Sequence, residues 1–437
     1  MIELTAGQAL TGKLIEAGTG TLVLKGGRLI DGTGRPPLAN GVVVIEGERI
    51  TKVGPVGEVV IPTGRDVRTL DTAGKVLMPG LIECHIHLNG EVTFDAYRRY
   101  LAPPEEERLL RSAADAARML EAGFTTLRDV GSKFAPILKR AARSGILRAP
   151  RIFGSGQALT VTGGHGDWLH FPYAWVRDAK FRGWIVDGAD ECRHVVRLQF
   201  REGADLVKII ASGGGITNTP EDLAGLGVPE FSPDELRAIV EEARMRRAKV
   251  AAHTTGAEAT RQAIAAGVDT IEHGMISAEH YDVLDTMAER GVILDPTMAI
   301  MYRAGYDGDR IGVFKGGQEA ARRVLELQQR MVDAAKRRGV TVVLGTDCIG
   351  SLGAGESALE LRLLVDSGLS TMEAIVAGTR NGAIALGAEK DLGTLEPGKV
   401  ADVLVLNKDP LADIKVLEDT ATIAHVIQSR APIAVRI

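Results

Sequence analysis

Cysteine is scarce in this 437-residue chain: Cys84, Cys192 and Cys348 are the only three. An odd number cannot pair completely, and none stands in a CxxC spacing, so the three read as free thiols in a reducing compartment. Long apolar runs are lacking too; none approaches the length that spans a bilayer. An excess of basic residues is missing, and a formal charge of −5 offers no footing for nucleic acid. The opening stretch MIELTAGQALTGKLIEAG has no basic region followed by an apolar one, so no signal peptide is expected. These absences predict a cytoplasmic protein with neither a membrane nor a nucleic-acid partner. What the chain does contain is ordinary for a globular protein, with 45% apolar and 25% charged residues. Its length allows two or three domains.

The texture changes twice along the chain. From about Thr21 to Met78, runs such as TLVLKGGRLIDG and GVVVIEGERITKVG read as strands broken by turns. Beyond that, short apolar strands alternate with helical stretches, as in a parallel α/β sheet. The strand candidates are KVLMPGLIECHIHL, TTLRDVG, PRIFGSG, ADLVKIIAS, AKVAAHTTG, DTIEHG, VILDPTM and VTVVLGTD. Helices follow them, clearest in PEEERLLRSAADAARMLEAG, SPDELRAIVEEARMRR and GGQEAARRVLELQQRMVDAAKRRG, where apolar residues recur at helical spacing. Eight such units over roughly 300 residues predict a closed (β/α)8 TIM barrel. After Leu386 the strand texture returns in LGTLEPGKVADVLVLNKDPL and IAHVIQSR. The expected organisation is a discontinuous β-sandwich domain from residues 1–78 plus 399–437, with the barrel, 79–398, inserted. Pro-Gly pairs at Pro79 and Pro397 mark the joins.

Chemistry-bearing residues gather at the C-terminal ends of these strands. His85 and His87 stand at i and i+2 in LIECHIHL, so a strand points both to one face. His253 ends KVAAH, His273 ends TIEH, and Asp347 closes TVVLGTD. Each could be structural alone, but the C-terminal rim is where such barrels carry active sites. Imidazoles with carboxylates are what a divalent metal selects. Lys208 lies within LVKII, where a bare ammonium would be costly to bury. Pairing with a buried acid would relieve that cost. So would reaction with carbon dioxide, giving an anionic carbamate able to bridge two cations.

Together PGLIECHIHL, LVKII, HTTG, IEHG, LGTD and GTLEPGKVADVLVL resemble the amidohydrolase superfamily, over the chain beyond about residue 20. The strand lysine resembles its two-metal subtype. TTLRDVG, TGGHGD and IEHG look most like the branch of Xaa-Pro dipeptidases and imidazolonepropionase-like enzymes. The resemblance implies that His85, His87 and Asp347 hold one metal and His253 and His273 the other. Carboxylated Lys208 would bridge them, with zinc as the expected ion. It further implies a bridging hydroxide as nucleophile, Asp347 as proton carrier, a small amide substrate and a homo-oligomer.

Other residues admit two readings. His165, in the Gly-rich VTGGHGDW, is either a surface histidine or, as the resemblance implies, a substrate contact. Arg128 in TTLRDVG could bind a substrate carboxylate, although a structural pair with a neighbouring acid is the better expectation. Phe231 in GVPEFSPDEL stands where dipeptidase relatives carry Tyr, which makes it a candidate apolar wall of the substrate pocket. Strand alternation turns Cys84 and Cys348 away from the site, as packing residues. The expected activity is hydrolysis of amide bonds in dipeptides, Xaa-Pro or N-acyl and N-aryl amino acids. Cyclic amides, carbamate, urea or organophosphate xenobiotics, and an inactive scaffold are the alternatives. The presence of Lys208 speaks against the cyclic-amide relatives, and six filled ligand positions speak against the scaffold.

Overall fold

Apolar segments with no polar face need cover on both sides, and the barrel strands obtain it. The computed structural model describes residues 13–18, 20–91, 103–169, 171–179, 183–214, 227–349 and 353–431. The opening residues 1–12, read above for a signal peptide, lie outside these. Seven barrel strands are regular: Leu81–His87, Phe124–Asp129, Arg151–Gly154, Val207–Ile210, Val250–Thr255, Thr270–Gly274 and Ile293–Asp295. All their mutual pairings are parallel. Phe124–Asp129, Val250–Thr255 and Thr270–Gly274 are buried at every position, as a parallel sheet packed inside a ring of helices requires. Helices Glu105–Glu121, Pro233–Met245 and Lys315–Arg337 match the three read most clearly from the sequence. Ser232 and Glu235 close a capping box that fixes where the second begins. No helix among the described residues is long and apolar enough to cross a membrane.

The strands form two parallel sheets that meet at two seams. At one, Asp205 N donates to Gly154 O at 2.8 Å. At the other, the expected eighth strand, VTVVLGTD, carries two backbone bonds to either side and one isolated bridge rather than a regular ladder. Leu294 N donates to Thr341 O at 2.9 Å, and Cys84 N donates to Leu344 O at 2.8 Å. The reason is local. The Glu83 carboxylate takes the Thr346 N–H at 2.9 Å, and Asp347 adopts φ +55°. Regular pairing resumes only at Cys348–Ile349, opposite Ile86 and His87. The ring is a TIM-barrel-like α/β architecture.

The stretch KVLMPGLIECHIHL divides at Gly80. Val76–Pro79 belongs to a sheet outside the barrel, and Leu81–His87 is the first barrel strand. A Cβ at Gly80 would lie 2.2 Å from Thr125 Oγ1, so the change of sheet needs glycine there. The outer sheet draws on both ends of the chain. Strands Thr21–Leu29, Leu38–Glu46, Arg49–Pro55 and Val67–Asp71 join Val403–Leu406 and Ile423–Ser429 in one branched, mixed sheet. Leu22, Leu24, Val43, Ile45, Val403 and Val405 share its buried face. One further strand, Leu14–Ala17, lies parallel to Ile423–Ser429.

Candidate active site

The C-terminal ends of the strands bring the histidines into one arc. Ring centroids are 5.3 Å apart for His85 and His87 and 5.0 Å for His85 and His273. The spacing is 4.6 Å for His253 and His273, and His165 stacks on His253 at 5.1 Å with 20° between planes. Asp347 Oδ1 lies 3.0 Å from His87 Nε2 and 3.6 Å from His85 Nε2. Ligand atoms of His85, His87 and Asp347 all fall within 4.8 Å of one another, a group able to hold a divalent ion. Burial, reinforced by charged neighbours including Lys208, holds His85 and His273 well below the ordinary histidine range. Neutral imidazole is the ligating form. Burial alone would raise the Asp347 carboxyl, but the His87 hydrogen bond and the electrostatic influence of the neighbouring imidazoles and Lys208 hold it well below the usual range.

Lys208 enters the same space from the fourth strand. Its side chain is 3% exposed, and Nζ has no hydrogen-bond partner. The lysine–acid pair considered from the sequence does not form. Burial lowers its pKa to about 8 although Glu272 and Asp347 pull it upward. An orphaned buried amine beside ligand-type imidazoles and a carboxylate fits a site built for a bridging group between cations, the arrangement that would give the nitrogen a purpose.

Beneath the arc lies a polar layer that sequence reasoning missed. Glu272 Oε2 is 2.6 Å from His85 Nδ1, and Arg128 donates to both Glu272 oxygens at 2.9 Å and to Asp295 at 3.1 Å. The expectation that Arg128 pairs structurally with an acid therefore holds. Glu272 was in plain view in TIEHG, but strict alternation sends it to the face opposite His273. His273 has φ +69°, which breaks the alternation and lets consecutive side chains both reach the interior. Thr297, with φ +51°, is a rare conformation for a β-branched residue, and its Oγ1 meets His273 Nδ1 at 2.6 Å. Glu83 is a further missed group: one oxygen accepts both the His85 N–H at 3.0 Å and the Thr346 N–H at 2.9 Å, clamping the two ligand-bearing segments together.

Glu272→Ala should therefore be costly twice. It removes the carboxylate that accepts two of the buried Arg128 bonds, a loss of about 3–5 kcal/mol measurable by chemical denaturation. It also frees the His85 ring, weakening metal affinity about 10–100-fold in a chelator competition. Unchanged stability and affinity would show that the layer is incidental to the site.

The two substrate-side candidates sit in different surroundings. His165 is half-buried, and its N–H donates to Glu230 Oε1 at 2.7 Å. Phe231 is 3% exposed and lies in the largest apolar cluster with Leu236 and Ile239. Cys84 and Cys348 are buried in apolar clusters, in keeping with a packing role. Glu230, adjacent to Phe231 and not singled out from the sequence, turns its carboxylate toward the Gly-rich loop.

The sequence profile of the amidohydrolase family matches residues 76–429. An ochratoxinase of Aspergillus niger is 32% identical over 420 residues, covering 92% of this chain and 85% of the relative. An imidazolonepropionase of Rhizorhabdus wittichii is 27% identical over 415 residues, covering 88% and 92%. Among solved structures, a prolidase complexed with N-methylphosphonate-L-proline superposes with a TM-score of 0.84 at 31% identity, covering 95% of this chain and 99% of that one. The chain belongs to the amidohydrolase family and is a hydrolase acting on carbon–nitrogen bonds.

Proposed function

We propose that this chain is a binuclear metal-dependent hydrolase of amide bonds, acting on dipeptides, Xaa-Pro or N-acyl and N-aryl amino acids. The observation that carries the reading is the unpartnered Lys208 amine amid His85, His87, His253, His273 and Asp347. His85, His87 and Asp347 would hold one ion, His253 and His273 the other, with Lys208 as a carbamate between them. Zinc suits this donor set. Bound ions would supply a water whose pKa falls from about 15.7 to about 7 and would polarise the scissile carbonyl.

The chain's own groups do the rest. Asp347, ionised and hydrogen-bonded to His87, takes a proton at its carboxylate and returns it to the leaving nitrogen. His165 faces the substrate beside His253. The prolidase bound to N-methylphosphonate-L-proline supports an amide with an amino-acid portion as substrate. The outer strands, residues 1–78 and 399–437, are assigned to a β-sandwich domain against a barrel of 79–398. A cytoplasmic homo-oligomer completes the reading. Screening the zinc-loaded protein against dipeptides and N-acyl amino acids, with elemental analysis in parallel, tests it. Two metals per chain and hydrolysis of at least one such class are expected. One metal under excess zinc would demote Lys208.

Within that reading, Phe231 makes the pocket wall apolar where a tyrosine would place a hydroxyl. An apolar wall gains from buried hydrocarbon, about 1–3 kcal/mol per methylene, so preference should rise with substrate bulk in graded steps. Values of kcat/KM should increase from Ala-Pro through Leu-Pro to an N-aroyl-phenylalanine, and Phe231→Tyr should narrow the spread. Ala-Pro as the best substrate, or a ranking untouched by Phe231→Tyr, would refute the assignment.

A further inference from the structure

We propose that Glu230 is a positioning residue: its carboxylate fixes the His165 backbone so that the imidazole stays stacked on His253. This rests on the reading of His165 as a substrate contact.

The loop from Gly163 to Asp167 satisfies most of its amides from within its own neighbourhood. Gly163 N donates to Asp167 Oδ2 at 2.8 Å and Gly166 N to Thr160 Oγ1 at 3.2 Å. Gly164 N donates to Val161 O at 3.0 Å and Asp167 N to Gly164 O at 2.9 Å. The His165 amide is the one that reaches a distant segment, donating to Glu230 Oε1 at 2.7 Å across 65 positions of sequence. The other oxygen, Oε2, is buried without a hydrogen-bond partner and lies against Gly164, where a Cβ would come within 2.6 Å. The loop is thus pressed onto the carboxylate, and glycine is what permits the approach.

Glu230 is itself held on the segment that follows Lys208. Its N–H donates to Ala211 O at 3.0 Å, and Gly213 N donates to Val228 O at 2.9 Å. The carboxylate therefore transmits the position of the Lys208 strand to the His165 loop. A buried carboxylate with one amide donor and an orphaned oxygen is a poor choice for packing alone, because desolvation disfavours it. The mechanism above assigns Glu230 no proton and no metal, so its burial calls for another purpose.

The test is a double-mutant cycle on the metal-loaded enzyme with the best dipeptide or N-acyl substrate. Glu230→Ala and His165→Ala should each lower kcat/KM by about 10²-fold, the scale of a misplaced contact. The double variant should be no worse than His165→Ala, since coupled residues are non-additive. Glu230→Gln retains an acceptor and should stay near wild type. Glu230→Asp, one methylene short, should resemble Glu230→Ala. Crystal structures should show the His165 ring displaced from His253 in Glu230→Ala, with metal content unchanged. Multiplying effects in the double variant overturn the proposal, as does a Glu230→Gln enzyme as poor as Glu230→Ala, which would mean the charge itself meets the substrate. An active His165→Ala enzyme would instead refute the substrate-contact reading, and the ring position in the Glu230→Ala structure would still decide the role of Glu230. Should Glu230→Ala fail to fold, a Glu230→Asp enzyme with normal kcat/KM overturns it.

Discussion

Asp347→Asn should lower kcat by at least the ~10²–10⁴-fold associated with a general acid–base group. The substitution is unusually clean here. Asp347 has φ +55°, a backbone region that Asn tolerates better than almost any other non-glycine residue. The side chain keeps its size and an oxygen that can face His87 Nε2, now 3.0 Å away. What disappears is the negative charge, which His87, His85 and Lys208 hold in the ionised form against the cost of burial. The loss should appear in kcat of protein whose metal content has been confirmed by elemental analysis, with the melting temperature little changed. Near-normal turnover in metal-replete Asp347→Asn protein would require a different proton carrier.

Lys208→Ala should abolish activity and reduce bound metal, and Lys208→Met should do the same with an opposite effect on the metal-free protein. The Lys208 amine is buried with no partner, so in the absence of metal it is a cost without a return. A methionine fills similar volume on the strand paired at Ala251, without a polar tip. The metal-free Lys208→Met protein should therefore melt higher than metal-free wild type, while metal-loaded wild type should exceed both. A short-chain carboxylic acid should restore part of the activity of Lys208→Ala by occupying the space of the proposed carbamate. In wild-type crystals the Lys208 tip should carry three additional atoms. Full activity and two metals in Lys208→Met would remove Lys208 from the centre.

The barrel was legible because its strands are short, apolar and separated by amphipathic helices, a pattern that local periodicity alone produces. The ligand-type residues were legible for a related reason: a histidine or aspartate closing an apolar run stands out against aliphatic neighbours. His85, His87, His253, His273, Asp347 and Lys208 could all be picked from one dimension, and the structure brings the histidine rings and Asp347 into one arc. The irregular eighth segment was not legible. Its form depends on Glu83 capturing the Thr346 amide from a strand 263 positions away.

The supporting charges belong to the same category. Alternation along a strand says which face a residue takes, but it assumes regular backbone, and His273 at φ +69° departs from it. Only the closed ring brings Arg128 onto Glu272 across 144 positions and Glu230 onto His165 across 65. Local sequence specifies periodicity, strand ends and the chemical character of each ligand, since these depend on neighbours a few residues apart. Which buried carboxylate meets which imidazole or amide is a matter of barrel closure. That pairing is set by packing between distant segments, and no local pattern encodes it.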